Sequence, residues 1–192
     1  MMESFPFLNS VANVFQAFVI AVNSLGEGEK GIFYLPSTLV FGGEPPSNIA
    51  LDPWEVTVLE IELIKYYDEK GLIDLFVNNN NLNAPELTEK GVRIIRTANR
   101  PSTADLKSGD VVTVSYKGYF LSKEKFDEGQ IDVVIGSGGV IPGFDDGLAH
   151  MRVGEKVTII IPWQYGYGAA GTKSIPPYTT LVFDLEVVSK ND

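Results

Sequence analysis

One pattern of residues occurs twice in this chain, and the repetition limits the folds open to it more than any other feature. Phe18 stands eighteen residues before Pro36, and Phe144 stands eighteen before Pro162. Inside these windows Val22 answers to Leu148, Leu25 to Met151, and Gly28-Glu29-Lys30 to Gly154-Glu155-Lys156. Further on, Phe41-Gly42 answers to Tyr167-Gly168. After a two-residue difference in length, Pro53-Trp54 answers to Pro177-Tyr178 and Ile61-Glu62 to Leu185-Glu186. Matches this numerous in one register point to an internal duplication whose first copy is incomplete.

Each copy reads as a short helix followed by two strands. Val11, Val14, Phe15, Phe18, Val22 and Leu25 have helical spacing, with Asn9 or Ser10 to cap the first turn. Phe144, Leu148 and Met151 repeat that stripe in a shorter helix, which Gly154 ends. Val112, Val114 and Tyr116 alternate with polar neighbours, as do Leu181, Phe183 and Leu185, the signature of half-buried strands. Segments 92–96, 131–135 and 156–161 add further strands. Many strands with one short helix predict an α+β domain in which a helix covers one face of an antiparallel sheet. The run Asn78 to Asn81, followed by Pro85, reads as a break. It divides a partial module (1–77) from a complete domain (86–192) by a linker over 78–85.

Composition removes much of ordinary enzyme chemistry. Fifteen basic against 25 acidic residues give a net charge of −10, so binding to a phosphate backbone is not expected. There is no cysteine and a single histidine, His150, which excludes thiolate nucleophiles, cysteine-ligated zinc and multi-histidine metal sites. No apolar run is long enough to span a membrane. The apolar stretch Ala17–Val22 follows residues that carry an acid and no Lys or Arg, unlike a secretory leader, so a cytoplasmic protein is expected. Gly136 to Gly139 lacks the Gly-Lys-Ser/Thr of a phosphate loop and reads as a turn. Asp145-Asp146 are neighbours that point apart on a helix, and acids near a helix start favour its dipole. His150 reads as a solvated helix residue.

What remains is an apolar and aromatic set: Tyr116, Phe126, Val140, Ile141, Phe144, Tyr167, Ile175 and Phe183. Composition alone allows a plain hydrophobic core. Two features favour a pocket instead: Asp127 directly follows Phe126, and Tyr167 lies in the glycine-rich Tyr165-Gly166-Tyr167-Gly168 loop.

Val114-Ser-Tyr-Lys-Gly118 and Lys125-Phe-Asp127 resemble the opening strands of the FK506-binding protein (FKBP) family of prolyl isomerases. Val140-Ile-Pro-Gly-Phe144, Met151-Arg-Val-Gly154, Tyr165-Gly-Tyr-Gly168, Ile175-Pro-Pro177 and Leu181-Val-Phe183 continue that pattern in order. The resemblance covers residues 86–189, and residues 18–64 resemble the second half of another such domain. It implies a curved antiparallel sheet wrapped around a short helix, preceded by a partial copy of the same fold, with the active site in the hollow between sheet and helix. By motif position it implies a catalytic set of Tyr116, Phe126, Asp127, Ile141, Tyr167 and Phe183, with Ile131, Val140, Phe144 and Ile175 contacting the ligand. Phe144 falls where most relatives carry Trp on the pocket floor, and the loop between Asp127 and Ile131 is shorter than in single-domain relatives.

The implied activity is peptidyl-prolyl cis-trans isomerisation, acting on proline-containing peptides or proteins and assisting their folding. FK506- or rapamycin-type macrolides are the implied ligands. No metal, cofactor, nucleic acid or membrane partner is expected, and a pocket that works by its environment needs none. The rival reading is a non-catalytic binding or scaffold module of the same fold. The incomplete copy is expected to be catalytically silent, its open edges covered by docking within the chain or by dimerisation.

Overall fold

The computed structural model describes residues 16–36, 55–82, 85–96 and 103–191. They fall into two compact units that divide between Tyr67 and Asp68. In the first unit, helix α1 (Gln16–Asn23) is followed by an antiparallel hairpin of β1 (Lys30–Pro36) and β2 (Val56–Glu62). Asn9 to Phe15, Phe41-Gly42 and Pro53-Trp54, which the sequence pattern also singles out, lie outside the described residues.

The second unit holds α2 (Glu69–Asn79), β3 (Glu86–Leu87), β4 (Arg93–Arg96), β5 (Val111–Phe120), β6 (Lys125–Val134), α3 (Pro142–Ala149), β7 (Lys156–Ile161) and β8 (Leu181–Asn191). The six strands form one sheet in the order β3-β4-β7-β8-β5-β6, with each neighbouring pair antiparallel. On one face α3 buries Phe144 and Leu148 among Val112, Val114, Ile159, Leu181, Phe183 and Leu185. That is the α+β arrangement expected from the alternation of apolar and polar residues. Gly143 lets the helix approach closely, since a Cβ there would lie 2.2 Å from Cγ2 of Ile161.

The corresponding parts of the two units share their internal geometry bond for bond. Helices α1 and α3 are both eight residues long. Lys30 stands opposite Glu62 and pairs with it at 3.0 Å, while Lys156 stands opposite Glu186 and pairs at 2.9 Å. The Gly28 amide donates to the Leu63 carbonyl at 2.6 Å, and the Gly154 amide to the Val187 carbonyl at 2.7 Å. Both glycines take positive φ, +81° and +80°, which a side chain would strain. Even the turn bonds agree: the carboxylate of Glu29 accepts from Gly26 N–H at 2.6 Å, and that of Glu155 from Arg152 N–H at 2.8 Å.

The second unit starts earlier than the asparagine run suggests, which corrects the expected limits of 1–77, 78–85 and 86–192. Residues 69–79 form α2, and its buried Ile73, Phe76 and Val77 pack on Ile95, Ile160 and Val182, on the sheet face opposite α3. Asp68 caps this helix by accepting from Gly71 N–H at 2.7 Å. The asparagines end it. Asn81 takes φ +52°, the Leu82 amide donates to the Val77 carbonyl at 3.0 Å, and the Asn81 amide donates to the Asn78 carbonyl at 3.1 Å. These are the two bonds of a Schellman termination, in which asparagine tolerates the left-handed position. Val182, outward-facing by its alternation, is fully buried because α2 covers it.

Candidate active site

The hollow between α3 and the β5–β6–β8 end of the sheet is a cavity of about 410 Å³ lined by Tyr116, Phe126, Asp127, Ile131, Gly139, Val140, Ile141, Phe144, Tyr167 and Phe183. Strand pairing brings distant residues together here. Gly118 on β5 lies opposite Asp127 of β6 on one side and Phe183 of β8 on the other. A Cβ on Gly118 would sit 2.6 Å from the Phe126 ring and 2.8 Å from that of Phe183, so only glycine lets the two rings converge.

Phe144 and Phe183 form the floor, 3% and 5% exposed, with rings edge-to-face at 5.2 Å and 89°. Phe126 stands edge-on to Phe183 at 5.5 Å and Tyr116 edge-on to Phe144 at 6.3 Å, the arrangement that ring quadrupoles favour. Phe120 backs Phe126 from behind, with ring centroids 5.0 Å apart.

Polar groups border this aromatic floor. The Tyr116 hydroxyl donates to Asp127 Oδ2 at 2.9 Å, and Asp127 Oδ1 accepts from Glu128 N–H at 2.9 Å. Burial pushes the Tyr116 phenol above its ordinary range, and the adjacent Asp127 carboxylate pushes it further. Tyr116 therefore stays a neutral donor committed to Asp127. Two donors remain unoccupied among the described residues: the Tyr167 hydroxyl, on a side chain 41% exposed, and the backbone N–H of Ile141 at the start of α3.

Ile175 does not line the cavity. It is 3% exposed and belongs to the core beneath. A turn in which the Thr172 amide donates to the Ile175 carbonyl at 2.7 Å folds it inward, and Gly171 at φ +63° packs against that carbonyl. Gly139 and Gly118 carry no side chain to signal a role, and only the strand register and loop path bring them to the site. The acids near α3 are structural, as their positions suggest: Asp145 accepts from Gly136 N–H at 2.8 Å, and Asp146 pairs with Lys90 at 2.8 Å. His150 Nδ1 lies 2.8 Å from the Asp146 carbonyl oxygen, at the end of the helix.

A short helix laid in a curved antiparallel sheet, over a seat of converging aromatic rings, defines a fold built to hold a small apolar group. Residues 102–188 match the family model described as FKBP-type peptidyl-prolyl cis-trans isomerase. FK506-binding protein 1 of Saccharomyces cerevisiae is 38% identical over 112 residues, which cover 55% of this chain and 98% of that protein. Peptidyl-prolyl cis-trans isomerase FKBP9 of Homo sapiens is 31% identical over 166 residues, covering 84% of this chain but 26% of that protein. A match of that extent cannot be confined to residues 86–192 and takes in much of the first unit. The crystal structure of FkpA from Escherichia coli superposes with a TM-score of 0.55 at 28% identity, over 64% of this chain and 59% of that one. The chain belongs to the FKBP-type peptidyl-prolyl cis-trans isomerases, and its activity is the cis-trans isomerisation of X-Pro bonds.

Proposed function

We propose that the aromatic hollow is the seat of the substrate proline and that it accelerates rotation by its environment. The observation that carries this reading is the convergence of Phe126, Phe144 and Phe183 on one apolar cavity whose rim holds two unoccupied donors. Rotation about an X-Pro bond faces a barrier of about 20 kcal/mol because resonance keeps the amide planar. The planar form carries separated charge, and the twisted form carries less. An apolar seat therefore disfavours the planar ground state relative to the transition state, and each 1.4 kcal/mol or so of that difference is about tenfold in rate. No proton need move. Tyr167 O–H and Ile141 N–H hold the carbonyls flanking the proline, and Asp127 keeps the Tyr116 ring upright as a wall. The same shape and donors suit FK506-type macrolides, which titration calorimetry would detect as one saturable site.

Phe126→Ala removes a ring that contacts both Phe120 and Phe183. At about 0.5–1.5 kcal/mol for each ring pair, the loss of kcat/KM should be about 5- to 150-fold. Tyr167→Phe removes one hydrogen bond, worth about 0.5–1.5 kcal/mol or about 2- to 10-fold. A protease-coupled assay on proline tetrapeptides ranks the two. Wild-type turnover in Phe126→Ala would remove the pocket assignment.

The first unit is read here as the closing half of a second domain of the same fold, without activity of its own. Its shared register and turn bonds support this. Phe18, Phe41 and Leu59 stand at the positions of Phe144, Tyr167 and Phe183, so the tyrosine hydroxyl is replaced. Residues 18–62 hold no wall equivalent to Tyr116 with Phe126-Asp127. In the same assay residues 1–67 should leave the isomerisation rate at background, and turnover by that fragment would refute its silence.

A further inference from the structure

The loop from Trp163 to Thr180 carries Tyr167 into the site, and a single carboxylate holds both of its ends. Glu69 Oε1 accepts from the Trp163 backbone N–H at 2.7 Å and from the Thr180 hydroxyl at 2.6 Å. The Gln164 amide, oriented with its nitrogen toward Glu69, donates to Oε2 at 3.1 Å and accepts from Trp163 Nε1 at 3.3 Å. Both glycines that flank Tyr167 hang from the same residue. The amides of Gly166 and Gly168 donate to the Trp163 carbonyl at 3.1 and 3.0 Å. The far side of the loop closes through Tyr178 N–H, which donates to the Gly168 carbonyl at 3.1 Å, and through the Tyr178 ring, edge-on to Trp163 at 4.9 Å. Glu69 sits in the first turn of α2, where an acid is favoured by the helix dipole, and Asp68 takes the capping duty. It lies outside the residues 102–188 matched by the family model.

We propose that Glu69 is a positioning residue of the isomerase site: from a helix outside the matched domain it fixes Trp163 and Thr180, and through Trp163 the placement of Tyr167. The inference rests on the reading of Tyr167 as a donor to the substrate. Helix α2 then has two separable duties, since its buried face covers the sheet while its first turn sets the active-site loop.

The experiment is a double-mutant cycle in the full chain. Glu69→Ala should lower kcat/KM about tenfold, the scale of a misplacement by a fraction of an ångström. Glu69→Gln, which keeps an acceptor oxygen at the same reach, should recover most of that loss. In a Tyr167→Phe background Glu69→Ala should cost little more, because a residue acting through Tyr167 is not additive with it. Phe76→Ala, on the same helix but facing the sheet, should lower the melting temperature without changing kcat/KM of the folded protein. Amide exchange at Gly168 should quicken in Glu69→Ala and not in Glu69→Gln. Additive losses in the cycle, or unchanged exchange at Gly168, overturn the proposal. Faster exchange at Gly168 with unchanged turnover in both Glu69→Ala and Tyr167→Phe leaves Glu69 as the anchor of the loop and overturns the role of Tyr167 instead.

Discussion

Gly118→Ala is expected to lower isomerase activity about a hundredfold while leaving a folded protein. The added Cβ would lie 2.6 Å from the Phe126 ring and 2.8 Å from the Phe183 ring, where carbon atoms pack at about 3.5–4.0 Å. One ring must move by about 1 Å. Phe183 is held by Phe144 edge-on at 5.2 Å and by the core around it, whereas Phe126 is half-buried on the outermost strand β6. Phe126 therefore yields, and the seat opens on one side. A displacement of that size in a positioned group costs on the order of a hundredfold in rate, while overpacking by one methyl costs about 1–3 kcal/mol of stability. The protease-coupled assay should therefore fall much further than the melting temperature does. Wild-type activity in Gly118→Ala would mean that Phe126 is not a wall of the seat.

Much of this arrangement is legible from the residues alone, and the parts that are not share a cause. Tyr116, Phe126, Asp127, Ile131, Val140, Ile141, Phe144, Tyr167 and Phe183 come together around one cavity because each lies in a motif whose local pattern survives in the sequence. Gly118 and Gly139 escape notice because their contribution is the absence of a side chain, which acquires meaning only across the β6–β5–β8 register. Ile175 is misplaced by a sequence reading because its direction depends on the Gly171–Ile175 turn, where a positive φ folds the chain inward. Helix α2 is the larger omission. Its signals were present: a cap at Asp68, an apolar stripe at Ile73, Phe76 and Val77, and asparagines suited to a left-handed terminus. The asparagine run dominates that stretch, and asparagine favours a helix end for the same reason that it favours a loop.

A fragment cut where the asparagine run invites a boundary, residues 86–192, should fail to hold its fold, whereas residues 68–192 should melt cooperatively and catalyse. The difference is α2. In the longer fragment Ile73, Phe76 and Val77 bury against Ile95, Ile160 and Val182, with Leu82, Tyr119 and Leu121 around them. Burying one such side chain contributes about 1.5–3 kcal/mol, so three contribute about 5–9 kcal/mol. That is comparable with the whole stability of an ordinary domain, about 5–15 kcal/mol. The shorter fragment also bares a contiguous apolar face on the sheet, which favours association over refolding. It loses Glu69 as well, so Phe76→Asp in residues 68–192 separates the two effects. This variant keeps the Glu69 bonds but places a charge beneath the helix, and it should lower the melting temperature nearly as far as the truncation does. Equal melting temperatures for 68–192 and 86–192 would show that the sheet needs no cover on this face, and the domain would then begin where the asparagine run ends.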